Sequence, residues 1–140
     1  MEKEFVTYEL AIKLKELGFD ETCCGYYDHI IKELDIISSE VCERLCKHDT
    51  HIKAPTFSQA FRWFRNNHYA FHEVFIDCEP KMGVPLEEDL MFSFTIHFVK
   101  EDKFVIGHRD TYQTQEDAEL ACLTKLIEIV EEKNNLDQNP

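Results

Sequence analysis

The sequence is poor in what builds a reactive loop. Its 140 residues include only four glycines and four prolines. A phosphate-cradling loop needs glycines grouped so that the backbone can close on an anion, and that grouping is absent. There is no nucleophile elbow and no His-Glu metalloprotease helix. Long apolar runs are missing too. The longest, "LMFSFTIHFV" over 90–99, is broken by Ser93, Thr95 and His97 and falls far short of a membrane span. Positive charge is scarce: 15 Lys and Arg face 28 Asp and Glu, a formal net charge of −13. Such a surface repels nucleic-acid phosphate over most of its area. The excess sits at the ends, with 12 acids against 6 bases in residues 1–50 and 7 against 2 in 111–140, while 51–110 carries 9 against 7. The opening "MEKEFVTYE" has no apolar stretch of signal-peptide length, so the expectation is a cytoplasmic protein with no membrane association. Its six cysteines are then expected as reduced thiols, most of them small buried hydrophobes.

Aromatic side chains are plentiful. Eleven Phe, five Tyr and one Trp bury enough surface to offset the entropy of ordering, which excludes disorder. The length predicts one domain with a core that needs no staple.

Helix signals are local and clear. In "VTYELAIKLKELGFD" Thr7 reads as N-cap, Leu10, Leu14 and Leu17 as one stripe, and Gly18 as the left-handed residue past the end. In "APTFSQAFRWFRNNH" Thr56 and Gln59 form a capping box, and Phe57, Ala60, Phe61 and Phe64 follow the i, i+3, i+4, i+7 pattern. In "TQEDAELACLTKLIEIVEEK" Thr114 and Asp117 give a similar start, with Leu120, Leu123, Ile127 and Val130 as the stripe. This last helix is expected over 114–133.

Three strands are expected between the second and third of these helices. Residues 71–77 alternate loosely. A loop with Pro80, Gly83, Pro85, Glu87, Glu88 and Asp89 leads to "MFSFTIHFV", where Phe92, Phe94, Ile96 and Phe98 share one face and Ser93, Thr95 and His97 the other. The third strand is "KFVIGHRD", 103–110. A three-residue loop at 101–103 sets Phe98 opposite Ile106 and keeps Phe104 and Ile106 on the Phe face; a two-residue turn sets Phe98 opposite Val105. The first of these is preferred. "CCGYY" over 23–27 reads as a short extended segment weakened by Gly25. Residues 29–37 fit helix or strand, and Ser38 or Ser39 opens a short helix over "EVCERLCKH" followed by a loop.

The expected fold class is therefore α+β, an antiparallel sheet of three or four strands with helices packed on one face. Phe57, Phe61, Phe64, Phe92, Phe94, Ile96, Phe98, Leu123 and Ile127 are its expected core. The order from residue 56 on, helix, three strands, helix, is also that of a double-stranded-RNA-binding domain. Those domains meet phosphate with a basic start to the last helix, whereas Gln115, Glu116, Asp117 and Glu119 stand there, so RNA is disfavoured as a partner. Lys53, Arg62 and Arg65 form a small basic group, expected to be solvated or paired with acids.

One stretch invites a metal. Cys42, Cys46, His48 and His51 fall within ten residues, and zinc takes thiolate and imidazole ligands. The spacing is awkward, because Cys42 and Cys46 share a helix face while both His must fold back onto it. The preferred expectation is a short helix and loop with Cys facing inward and His in water, and a redox or partial-ligand role is a third. His97 with His108 and Asp110, and His68 with His72, are further His groupings without a ligand spacing. Cys23 and Cys24 are expected to split, one buried and one not. Trp63 and Tyr69 are candidate interface anchors or half-buried packing residues. No residue is assigned as catalytic, cofactor-binding or metal-ligating, and no cofactor is expected.

Three phrases, "FVTYELAIKLKELGFDETCCGYY", "APTFSQAFRWFRNNH" and "TQEDAELACLTKLIEIV", resemble a family of short uncharacterised proteins encoded by bacteriophages and prophages of gut anaerobic bacteria. The family shares a Thr-Tyr-led first helix, an "APT(Y/F)SQAFRWFRE" helix and a "EEAELACLKKLIEI" final helix, in this order. The resemblance covers roughly half of the chain and implies no activity, cofactor or site residue. The segments between, including 28–52 and 69–110, vary in the family. The chain is read as a single domain, 1–140, with an N-terminal helix in 1–22, a variable segment 23–55, a helix-three strands-helix unit 56–133 and a frayed tail 134–140. The expected function is a non-catalytic interaction or binding module with a host or phage protein as partner. The alternatives are an acidic mimic of nucleic acid and a small zinc protein using Cys42, Cys46, His48 and His51.

Overall fold

In a computed structural model, the protein is described over residues 2–77, 82–83, 85, 90–106 and 111–138, with Glu2 and Ile106 as backbone only. The fold is α+β. Among the described residues, helices α1 (Tyr8–Glu16), α2 (Ser39–Leu45), α3 (Phe57–His68) and α4 (Gln115–Gln138) accompany six strands: β1 (Gly25–Asp28), β2 (Leu34–Ile36), β3 (His51–Ala54), β4 (Ala70–Ile76), β5 (Phe92–Phe98) and β6 (Lys103–Ile106). The strands form two three-stranded antiparallel sheets, ordered β2-β1-β3 and β4-β5-β6. The chain divides into two compact units, Met1–Trp63 with Ile127–Pro140, and Phe64–Leu126.

In the first unit, α1 is held at both ends by its own sequence. The Leu10 N–H donates to the Thr7 hydroxyl at 3.4 Å. At the other end Gly18 takes φ 95°, so that its N–H reaches the Lys15 carbonyl and the Phe19 N–H reaches the Leu14 carbonyl. These are the two bonds of a glycine-terminated helix end, as the sequence predicts. Leu10, Ala11 and Leu14 are buried and Leu17 half-buried.

The segment 23–55 is where structure adds most. Residues 34–36 resolve the helix-or-strand ambiguity as β2, and the expected loop after α2 becomes strand β3. β1 is central, pairing Gly25 with both Ile36 and Ala54. Tyr27 points inward and its hydroxyl donates to the Val6 carbonyl at 2.7 Å. Tyr26 points outward and donates to Asp35 at 3.0 Å. The β1–β2 hairpin turns at Lys32, φ 58°, where the Asp28 carboxylate accepts from Ile30 and Ile31 N–H at 2.7 and 3.1 Å. Those two bonds hold the Asp28 carboxyl below its ordinary range.

The capping box on α3 is present in both directions. Thr56 N–H donates to Gln59 Oε1 at 3.0 Å, and Gln59 N–H donates to Thr56 Oγ1 at 3.2 Å. Thr56→Ala removes one acceptor and leaves a helix-end donor unmet, and is expected to cost about 1 kcal/mol in a denaturant melt. Thr56→Ser should be close to wild type. Ala60, Phe61 and Phe64 are buried, while Phe57 is half-buried; Trp63 joins the core, its ring 5.8 Å from Phe19.

In the second unit β5 is central. It pairs with β4 along seven positions, from Ala70 with Phe98 to Ile76 with Phe92. Phe94, Ile96 and Phe98 are buried and Phe92 is half-buried beside the Phe92–Tyr112 bridge. Ser93, expected on the open face, is buried.

The β5–β6 register corrects the preferred pairing. Phe98 faces Lys103, His97 faces Phe104, Ile96 faces Val105 and Thr95 faces Ile106. The turn runs from Val99 to Asp102, whose N–H returns to the Val99 carbonyl at 3.3 Å. Asp102 takes φ 47°, the left-handed conformation that Asp tolerates and that glycine would otherwise supply. An odd shift in register moves every side chain to the other face. Phe104 therefore lies with His97 rather than with Phe98.

Thr114 caps the start of helix α4, its hydroxyl accepting from the Asp117 N–H at 3.1 Å. Cys122, Leu123 and Leu126 of the second unit and Ile127, Ile129 and Val130 of the first are buried, and Leu120 is half-buried. The helix continues to Gln138, through most of the stretch expected to fray.

Candidate functional site

Two places gather unusual side chains, one in each unit. In the first unit α2 and the segment that leads into β1 bring three thiols near one another. Cys42, on the inward face of α2, is fully buried and its Sγ donates to the Gly25 carbonyl at 3.4 Å. Cys46 caps α2 one turn later, half-buried, with its Sγ 3.9 Å from that of Cys42. Cys23 is buried nearby, its Sγ donating to the Glu21 carbonyl at 3.5 Å, while Cys24 is exposed, the split expected for this pair.

Beside the thiols lies Lys53. Its ammonium pairs with Glu43 at 2.7 Å and donates to the Asp20 and Glu21 carbonyls at 3.3 and 3.1 Å. Arg62 pairs with Glu21 at 2.9 Å. Two members of the expected basic group are thus partnered by acids.

A cavity of about 90 Å³ opens here, lined by Ala11, Lys15, Phe19, Cys46, His51 and Lys53. It has room for a few waters, well below the ~300 Å³ at which small-ligand sites begin. Burial pushes the Cys23 and Cys42 thiols up to about 12. Burial also raises Cys46, against the opposing effects of the Cys42 hydrogen bond and Lys53. Thiols so held are poor nucleophiles at neutral pH.

The four residues of the zinc expectation are placed differently from one another. Cys42 and Cys46 meet. The His51 ring nitrogen Nδ1 is 2.9 Å from the Thr50 hydroxyl, Nε2 is 3.7 Å from Asp28, and the ring packs against Tyr26 at 5.3 Å. His48 is exposed on the turn after α2. Among the described residues no group of three or more His, Cys, Asp or Glu is placed to hold a metal ion.

The second place is the outer face of the β4-β5-β6 sheet. Phe71 pairs with His97, and His97 with Phe104, so three aromatic rings form one row across all three strands. His97 and Phe104 stack at 4.0 Å and 7°. Tyr69, in a left-handed conformation at φ 51°, and Val99 lie at the end of this ladder, joined by the Val99 N–H to Tyr69 carbonyl bond at 3.1 Å. Lys100 sits 4.0 Å over the Tyr69 ring. Phe104 is 60% exposed, Val99 48%, Phe71 46% and Tyr69 45%. The row follows from register, so no reading of single strands finds it.

The remaining His groupings do not build a site. His108 and Asp110, like the acidic trio Glu87, Glu88 and Asp89, lie outside the described residues. His97 is 3.5 Å from Asp102. His68 packs 5.6 Å from Phe64. Burial, with Arg65 adding to it, holds His72 down to about 4, which keeps its ring neutral at neutral pH. A shallow depression is lined, among the described residues, by Met91, Thr111, Tyr112, Gln113, Asp117, Leu120 and Ala121, with Asp117 as the carboxylate. No helix in the described residues is long and apolar enough to cross a membrane.

No family model, curated protein or solved structure matches the chain.

Proposed function

We propose that the chain is a non-catalytic protein-binding module of phage type that engages a host or phage protein through the outer face of the β4-β5-β6 sheet. The observation that carries this reading is the contiguous row Phe71–His97–Phe104, extended by Tyr69 and Val99. Single exposed apolar residues are ordinary, but Phe71 and Phe104 on either side of His97, with Tyr69 and Val99 at the end of the ladder, form a patch of the kind that marks an interface. Aromatic side chains at its centre and charges around it, here Glu73, Lys100, Glu101 and Asp102, match the anatomy of protein interfaces. Carboxylates on the rim and the net charge of −13 favour a protein over a nucleic acid.

The test compares wild type with Phe71→Ser/Phe104→Ser in capture from lysate of the bacterium carrying the gene. Both residues are on the exposed face, Phe104 with one stacking partner, so the variant is expected to keep the wild-type circular dichroism spectrum. A partner held by wild type should fall at least about tenfold in affinity on the variant, the loss of one interface anchor. Equal recovery on both proteins, or repeated recovery of nothing, sinks the reading.

A further inference from the structure

Cys42 and Cys46 sit one helical turn apart, and their Sγ atoms are already 3.9 Å from each other. In an α-helix the Cα atoms of residues i and i+4 lie about 6 Å apart, inside the span that a disulfide bridges. Their Cβ atoms lie about 5–6 Å apart against the ~3.8 Å of a disulfide, so the bond requires the cap residue Cys46 to shift its backbone out of the last turn. Closing from 3.9 Å to bonding distance takes a movement of about 1.9 Å. Cys46 is the residue free to make it, since it is the helix cap and lies on the wall of the cavity. Cys42 is fixed and fully enclosed. The arrangement gives one thiol an opening to the outside and places the other directly behind it.

We propose that Cys42 and Cys46 are an oxidation site at which a small disulfide of the glutathione class is reduced and an intrahelical disulfide forms. The Cys46 thiolate attacks one sulfur of the small disulfide. That S–S bond breaks, one half leaves as a thiolate, and a mixed disulfide remains on Cys46. The Cys42 thiolate then attacks the Cys46 sulfur and the second half leaves as a thiolate. The two protein thiols lose two electrons and two protons, and the small disulfide gains both to become two thiols. The new bond draws the Cys46 sulfur off the cavity wall, so oxidation reshapes the space between Phe19, His51 and Lys53.

The groups around the pair set its pH dependence. Lys15 of α1 and Lys53 of β3 favour the Cys46 thiolate, Glu43 of α2 opposes it, and Cys23 and Glu43 stand against the Cys42 thiolate. His51 of β3 shares the cavity. Burial outweighs the lysines and both thiols are raised, so exchange is slow at neutral pH and quickens about tenfold per unit of rising pH.

Trypsin cuts after Lys32, Arg44 and Lys47, which separates Cys42 from Cys46 and makes the bond directly visible. The full chain carrying Cys24→Ser is incubated with oxidised glutathione at pH 7, 8 and 9, blocked with N-ethylmaleimide and digested without reductant. The expected product is peptide 33–44 joined to 45–47, with a loss of two hydrogens, growing about tenfold per pH unit. Cys42→Ser should stop at the glutathione adduct on Cys46, and Cys46→Ser should leave Cys42 reduced. Three results overturn the proposal: Cys42 and Cys46 both recovered as maleimide adducts at pH 9, a stable glutathione adduct on Cys46 with Cys42 intact, or a Cys23–Cys46 link in place of the expected one.

Discussion

Phe98→Ala is expected to cost about 3–5 kcal/mol of stability, and Phe104→Ala about 1 kcal/mol. Both are phenylalanines in one hairpin, six residues apart in sequence, and the difference rests on register alone. Phe98 is fully buried on the central strand, so truncation loses the transfer energy of the ring and leaves a cavity that close-packed neighbours fill only in part. Phe104 is 60% exposed and has His97 as its stacking partner, so truncation loses one aromatic pair at the surface. Urea melts of the two variants, compared at equal slope, check the contrast. For a chain of this size the Phe98 variant should melt lower by about 10 °C or more. If Phe104→Ala proves as damaging as Phe98→Ala, β6 is displaced to the register that turns Phe104 inward, and the aromatic row disappears with it.

That register shows where the sequence stops being legible. Phe104, Val105 and Ile106 are three apolar residues in succession, so alternation cannot tell which of them faces the core. The choice falls to the turn, and the turn is made by Asp102 in a left-handed conformation. The chain offers no glycine there to advertise it. The helices were readable because their signals are local: Thr7, Gly18, Thr56 with Gln59, and Thr114 each act on residues within five positions. The sheet of β2, β1 and β3 was not, because its strands are three or four residues long and its pairings join Gly25 to Ala54. A four-residue strand such as "HIKA" shows only two inward positions, Ile52 and Ala54. The eye goes instead to the Cys and His before it.

The candidate sites divide along the same line. Helical spacing is enough to place Cys42 and Cys46 on one face of α2, and the structure brings their sulfurs together. It takes the tertiary fold to bring Cys23 and Lys53 beside them from outside the helix, and to turn His51 toward Asp28 and Tyr26 on the neighbouring strand. Trp63 shows the reverse. A lone tryptophan reads as a possible anchor for a partner, and here it is buried against Phe19.

Gly25 is the position where one added carbon should matter most. In sequence it only weakens the case for a strand, since glycine adds entropy to the unfolded chain and nothing to packing. In the fold it is the centre of the β2-β1-β3 sheet, flanked by Ile36 and Ala54. The residues before α1 run past it: Phe5 bridges to Thr56 and the Val6 N–H bonds to the Pro55 carbonyl at 3.0 Å. This lays the Phe5 ring over the glycine. A Cβ there would stand 2.6 and 2.8 Å from two ring carbons and 2.9 Å from the Ala54 carbonyl oxygen. The ring can rotate away, but the carbonyl belongs to the paired strand and cannot move without loosening it. Gly25→Ala is therefore expected to cost about 2 kcal/mol and Gly25→Val about 3 kcal/mol or more. A double-mutant cycle separates the two contacts. In a Phe5→Ala background Gly25→Ala should cost less than in wild type, because the ring clash is gone, yet still more than nothing, because the Ala54 oxygen remains. A Gly25→Ala protein as stable as wild type would mean that the N-terminal segment does not lie across this sheet.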